Sequence, residues 1–101
     1  MAVNPQPGLA SVVTTGGTAV TAVPANPQGG GIITNPMSKD DQGIATAEPL
    51  YVNAVSAATL GGYGTTFALS PGQSWNVIPG QITSTSVNAT TSGHRFSVIW
   101  W

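Results

Sequence analysis

Six side chains of this 101-residue chain carry a full charge or can gain one near neutral pH: Lys39, Asp40, Asp41, Glu48, His94 and Arg95. Ser92, His94 and Arg95 lie close together, and a hydroxyl beside an imidazole invites a nucleophilic reading. The spacing argues against it. A catalytic triad needs a carboxylate to orient the imidazole, and neighbours in a strand point to opposite faces. His94 and Arg95 are therefore expected to make polar contacts at the start of a strand. Asp40, Asp41 and Glu48 are the only carboxylates, and they lack the alternating ligands and terminal Glu of a calcium loop. They suit the solvated start of a helix. With no cysteine there is neither a disulfide framework nor a thiolate metal site. Gly29-Gly30-Gly31 has no following Lys-Ser/Thr and reads as a hinge, not a phosphate loop. No catalytic, cofactor-binding or metal-binding residue is expected, so the chain reads as a non-enzyme.

Charge narrows the function classes further. The net charge is -1, and the two cations stand far apart at Lys39 and Arg95. Nucleic acid and anionic membrane surfaces both require clustered Lys and Arg, so neither is an expected partner. Charged residues make up 5% of the chain, against ~25% in ordinary soluble domains. A surface so poor in charge lacks the usual defence against self-association, which implies that partners cover much of it. The first residues, Met1-Ala2-Val3-Asn4-Pro5, lack a basic segment and apolar run of the secretory type. Synthesis in a cytoplasm follows, with export only inside something larger. The triplet Asn88-Ala89-Thr90 then matches a glycosylation acceptor by chance.

The elements that must position these residues are extended. Residues 1–36 are punctuated by prolines at 5, 7, 24, 27 and 36 and by glycine pairs and triplets. They read as an extended arm, in which Ala10–Thr15 and Thr18–Val23 fit a β-hairpin about Gly16-Gly17. Residues 1–30 should then be dispensable for folding. Residues 37–49 form a connector with one helical turn: Ser38 caps it, Asp40 and Asp41 occupy its first turn, and Gly43 ends it. From 50 to 101 the pattern alternates with period two, the signature of strands with one buried face. Five strands are expected within 50–55, 65–69, 74–78, 81–89 and 94–101. Ser70-Pro71-Gly72-Gln73 and Ile78-Pro79-Gly80-Gln81 each place Pro and Gly where a type II turn needs them. The class is all-β: a small antiparallel β-sandwich or jelly-roll-like domain carrying an extended N-terminal arm.

The alternation assigns Phe67, Leu69, Trp75, Val77, Val87, Phe96, Val98 and Trp100 to the core. Contacts with partners fall to the arm's apolar positions Val12, Val13, Val20, Val23, Ile32 and Ile33, with Tyr63 in a glycine loop and Trp101. An aromatic platform for a sugar ring would draw on Tyr63, Trp75 or Trp101, and it requires Trp75 on the surface beside polar groups.

The run Pro24–Pro36 (PANPQGGGIITNP) resembles small capsid cement or decoration proteins of tailed bacteriophages. So do Phe67–Trp75 (FALSPGQSW), Val87-Asn88-Ala89 and Ser92-Gly93-His94-Arg95-Phe96. The resemblance implies a small β-sandwich or jelly-roll-like unit on the outer surface of the virion. It would bridge copies of the major capsid protein, as a homo-oligomer, and would carry no cofactor. The rival expectation is a carbohydrate- or receptor-binding β module of a phage fibre or an adhesin.

Overall fold

The computed structural model describes residues 4–101. In chain order the elements are β1 (Gln6–Pro7), β2 (Val12–Val13), β3 (Val20–Val23), β4 (Gly31–Thr34), α1 (Lys39–Gln42), β5 (Leu50–Asn53), β6 (Thr66–Leu69), β7 (Ser74–Val77), β8 (Thr85–Asn88), β9 (His94–Arg95) and β10 (Ser97–Trp100). The protein is all-β apart from the single helical turn, and every strand pair is antiparallel.

The pairing is nested. The first strand pairs with the last, β2 with β9, β3 with β8, β4 with β7 and β5 with β6. One long hairpin is thus rolled up, and two further ladders, β4–β10 and β5–β8, fix the roll. The result is two four-stranded sheets, ordered β1-β10-β4-β7 and β3-β8-β5-β6, with the β2–β9 ribbon forming the corner between them. This strand order is that of a jelly roll.

Turn chemistry explains the corners. Gly72 and Gly80 adopt φ of 90° and 72°, and Gln73 N and Gln81 N donate back to Ser70 O and Ile78 O. These are the two type II turns expected from Pro-Gly. Ser38 caps α1 by accepting from Asp41 N at 3.1 Å, and Gly43 closes it in the left-handed region. Both ends of that turn stand where the residues place them.

Residues 4–36 are not an arm, and the rest of the expected 1–36 arm lies outside the described residues. From Gln6 onward they supply β1 through β4 to both sheets, and β4 is an interior strand between β10 and β7. The hairpin about Gly16-Gly17 does not form, because β2 and β3 pair with β9 and β8 instead of each other. Residues this poor in side chains to pack reach stability through long-range backbone pairing, a signal that local patterning does not carry. Nor is the glycine triplet a hinge. Gly30 lies at φ 75°, and a Cβ there would sit 2.4 Å from Val77 O. Gly29 N and Trp101 N exchange hydrogen bonds with Trp101 O and Gly30 O, locking the segment to the last strand.

The core lies between the sheets. Ile33 and Val77 from one sheet meet Leu50, Val52, Leu69 and Val87 from the other, with Val13, Val23 and Phe96 filling the corner. Of the expected core set, Leu69, Val77, Val87 and Phe96 are buried, while Trp75, Val98 and Trp100 are half-buried against it. Phe67 differs: it is 52% exposed. Its face is correct, since it shares the inward side with Val52 and Val87, but β6 is an edge strand. There Phe67 stacks on Trp75 of the other sheet's edge, with ring centroids 4.8 Å apart. The pair closes the open side of the sandwich.

The outer face of sheet β3-β8-β5-β6 is covered over part of its area, while Thr21 and Ala68 on it stay exposed. Outward side chains Asn53, Thr66, Ser86 and Asn88 are all inaccessible because residues 54–65 fold back over them. Ser86 Oγ accepts from Ala58 N, Asn88 Nδ2 donates to Ala58 O, and Asn53 Oδ1 accepts from Val55 N and Ser56 N. The Ser/Thr/Asn content of these strands is therefore interior hydrogen bonding, and the side chains of Asn53, Thr66, Ser86 and Asn88 all have partners.

Because β1, β2 and β3 all pair with strands beyond residue 84, deletion of residues 1–30 is expected to abolish the cooperative thermal transition followed by circular dichroism. A truncated chain that still melts cooperatively would show that the outer layers of the roll are dispensable.

Candidate functional site

The charged and titratable residues gather around α1 and the β9 corner. His94 is fully buried, and its Nε2 lies 2.9 Å from Asn35 Oδ1. The Asn35 amide cannot be turned around, because its Nδ2 donates to Glu48 O at 3.0 Å and Leu69 O at 2.9 Å. Oδ1 is thus the acceptor, and His94 carries its proton on Nε2. Gln42 completes the knot. Its Nε2 reaches Asn35 Oδ1, Pro36 O and Glu48 O, and its Oε1 accepts from Glu48 N at 2.9 Å. Outside the knot, Arg95 Nη2 donates to Asp40 O, and Lys39 pairs with Asp40 at 3.2 Å on the surface.

This constellation ties the connector to the sheets and offers no nucleophile to the imidazole. Ser92 spends its hydroxyl on Gly16 N at 2.8 Å. Burial pushes the His94 pKa down, and the carboxylate of Glu48 opposes that shift only in part. His94 Nδ1 and Glu48 Oε2 are both buried without a hydrogen-bond partner among the described residues. Among the described residues no three His, Cys, Asp or Glu side chains come within reach of a common metal ion.

The expected contact residues divide. Val13, Val23 and Ile33 are fully buried in this chain's own core and cannot meet a partner. Val12 and Val20 are half-buried. Tyr63 stands 70% exposed on its glycine loop. Ile32 is on the outer face of sheet β1-β10-β4-β7, directly opposite Ile99 on β10, and the two are 39% and 38% exposed. Thr34, Ser97, Ser74 and Asn76 share that face, and none of the sheet's four strands contains a charged residue.

Trp75 is not a platform. One side of its indole lies against Phe67, it packs against the core, and its Nε1 is buried with no partner among the described residues. Trp100 donates Nε1 to Pro7 O at 2.8 Å, which fastens the edge strand β1. Trp101 is half-buried where the β4–β10 ladder ends. Asn88 is buried with its amide engaged, so the glycosylation triplet is closed to modification in the folded chain.

No protein-family model matches this chain, and no curated protein or solved structure does either.

Two outcomes test the buried knot. Asn35→Ala strands the buried His94 donor, removes the side-chain bond to Leu69 O and leaves Gln42 as the only side chain bonded to Glu48 O. It is expected to lower stability by about 3 kcal/mol in urea unfolding. A loss under about 1 kcal/mol would show the groups rehydrate freely. For His94, the unfolded chain binds the proton more readily than the folded one. Stability is therefore full above the ordinary value of 6.5 and declines as pH falls through it. The urea midpoint should drop between pH of about 7.5 and about 5, and His94→Gln should flatten that drop. A wild-type midpoint independent of pH would refute the assignment.

Proposed function

We propose that this chain is a structural subunit of a virion, a decoration or cement protein that binds the outer surface of the assembled major-capsid shell and stabilises it. The observation that carries this reading is the uncharged outer face of sheet β1-β10-β4-β7, with Ile32 and Ile99 paired at its centre. The cores of protein interfaces are depleted in charge and enriched in apolar groups within a polar rim, and this face has that composition. The jelly roll is a recurrent architecture of viral coat proteins, an argument from fold alone.

The mechanism is physical. With residues 4–36 committed to the sheets, the chain has no long free strand to donate from there, and docking uses a preformed face. A rigid surface loses little conformational entropy on binding. Copies held together as a homo-oligomer would engage several shell subunits at once, so individually weak contacts add through effective concentration. Binding the expanded shell and not its precursor favours the expanded state by mass action.

Co-sedimentation with shells that lack the protein tests the reading. Saturable binding at a fixed ratio to the major subunit is expected, and the paired substitution Ile32→Lys with Ile99→Lys should weaken it at least about tenfold, 1.4 kcal/mol, without changing the thermal transition. Absence of wild-type binding to intact expanded shells would remove the proposal.

A further inference from the structure

At one end of the sandwich, where β1, the β3–β4 connection and the end of β10 converge, lies a cavity of about 310 Å³ lined by Asn4, Gln6, Asn26, Gln28, Trp100 and Trp101. We infer that this cavity is a binding site for a neutral saccharide, a function separate from docking on a shell.

The argument begins with where the amides go. Asn35, Gln42, Asn53, Gln73, Gln81 and Asn88 all spend their side-chain amides on hydrogen bonds inside the fold. Asn4, Gln6, Asn26 and Gln28 make no side-chain hydrogen bond to any described residue, and all four line this one cavity. Of the remaining Asn and Gln residues only Asn76 stands elsewhere. Unengaged amides are thus concentrated beside two indoles, in a cavity with no charged side chain among its described lining residues.

Local backbone geometry supports the same place. Asn26 has φ 58°, the only positive φ at a non-glycine among the described residues. It is held there by a hydrogen bond from its N–H to Gln81 O at 2.7 Å. Sparsely populated conformations of this type persist where surrounding structure over-determines them, and they gather at ligand sites. The cavity wall is similarly fixed: Trp101 is clamped through both its backbone groups to Gly29 and Gly30, and Trp100 is fastened to Pro7.

The chemistry selects the ligand. Each amide offers paired donors and an acceptor, which match hydroxyl groups that both donate and accept. Indole supplies an apolar surface with a polar tip, suited to the C–H face of a sugar ring. The described lining residues include no Lys, Arg or His to pair with a phosphate, sulfate or carboxylate, so the recognised feature is neutral. A proline-rich peptide would suit the indoles, but proline carries no N–H, so it would leave the amide oxygens unpaired.

The purified full chain can be titrated with methyl glycosides of glucose, galactose, mannose and N-acetylglucosamine and with their β-linked tetrasaccharides. Tryptophan fluorescence and the NMR signals of side-chain amides and indoles report binding. Saturable shifts at Asn26, Gln28 and Trp101 are expected with at least one of these. Trp101→Ala should weaken the affinity at least about tenfold and the exposed Gln28→Ala about fivefold, while Ile32→Lys leaves it unchanged. The inference is overturned if no saccharide saturates the signals, if Trp101→Ala and Gln28→Ala both bind like wild type, or if only a polyproline peptide shifts these amides.

Discussion

The β4–β10 ladder holds the roll together. Its four pairs, from Ser97 with Thr34 to Trp100 with Gly31, join an outer strand of the nested hairpin to an inner one. Without it, sheet β1-β10-β4-β7 would separate into two isolated ribbons, and two-stranded ribbons are marginal in water. The ladder also decides which residues remain outside. By pairing Ile32 with Ile99 it creates the uncharged face, and by running on to Trp101 it brings that residue against Gly29 and Gly30. The same alternation buries Ile33 beside Val98.

A chain with so few charges still has a polar interior. Its polar groups are amides and hydroxyls, which can be satisfied by backbone without the desolvation cost of an ion. The Asn35–Gln42–His94 knot is the densest instance, and it anchors the connector where the chain passes from one sheet to the other. The cover of residues 54–65 over Ser86 and Asn88 is another. In both, neutral side chains take over from backbone where regular pairing stops.

What the residues foretold follows from how local each feature is. The type II turns at Pro71-Gly72 and Pro79-Gly80, the capped turn from Ser38 to Gly43 and most strands after Leu50 depend on neighbours a few positions apart and were legible. The expected 81–89 strand, however, begins only at Thr85, and the expected 94–101 strand breaks at Phe96 into β9 and β10, which join different sheets. The fate of residues 4–36 was not, because their partners lie at Ser74 or beyond and nothing in Val12-Val13 or Val20–Val23 names them. Phe67 shows the subtler limit: alternation gives the face of a strand but not whether that strand is at an edge. Polar burial was likewise hidden, since Asn35 and Asn88 look like turn residues until a second segment is laid over them. The concentration of free amides around Trp101 required the fold, as Gln6 and Gln28 belong to different layers of the roll.

Nesting has a consequence for synthesis. A chain grows from its first residue, and every partner of β1 through β4 is made at Ser74 or later. When β4 has just been made, none of β1 through β4 yet has a strand to pair with, and Val13, Val23 and Ile33 have no opposing sheet to be buried against. The innermost ribbon, β5–β6, is the first that can close, and each later strand zips one layer outward onto its waiting partner. Pairing partners thus become available from the middle of the nested hairpin outward, and β1 is the last strand to gain one.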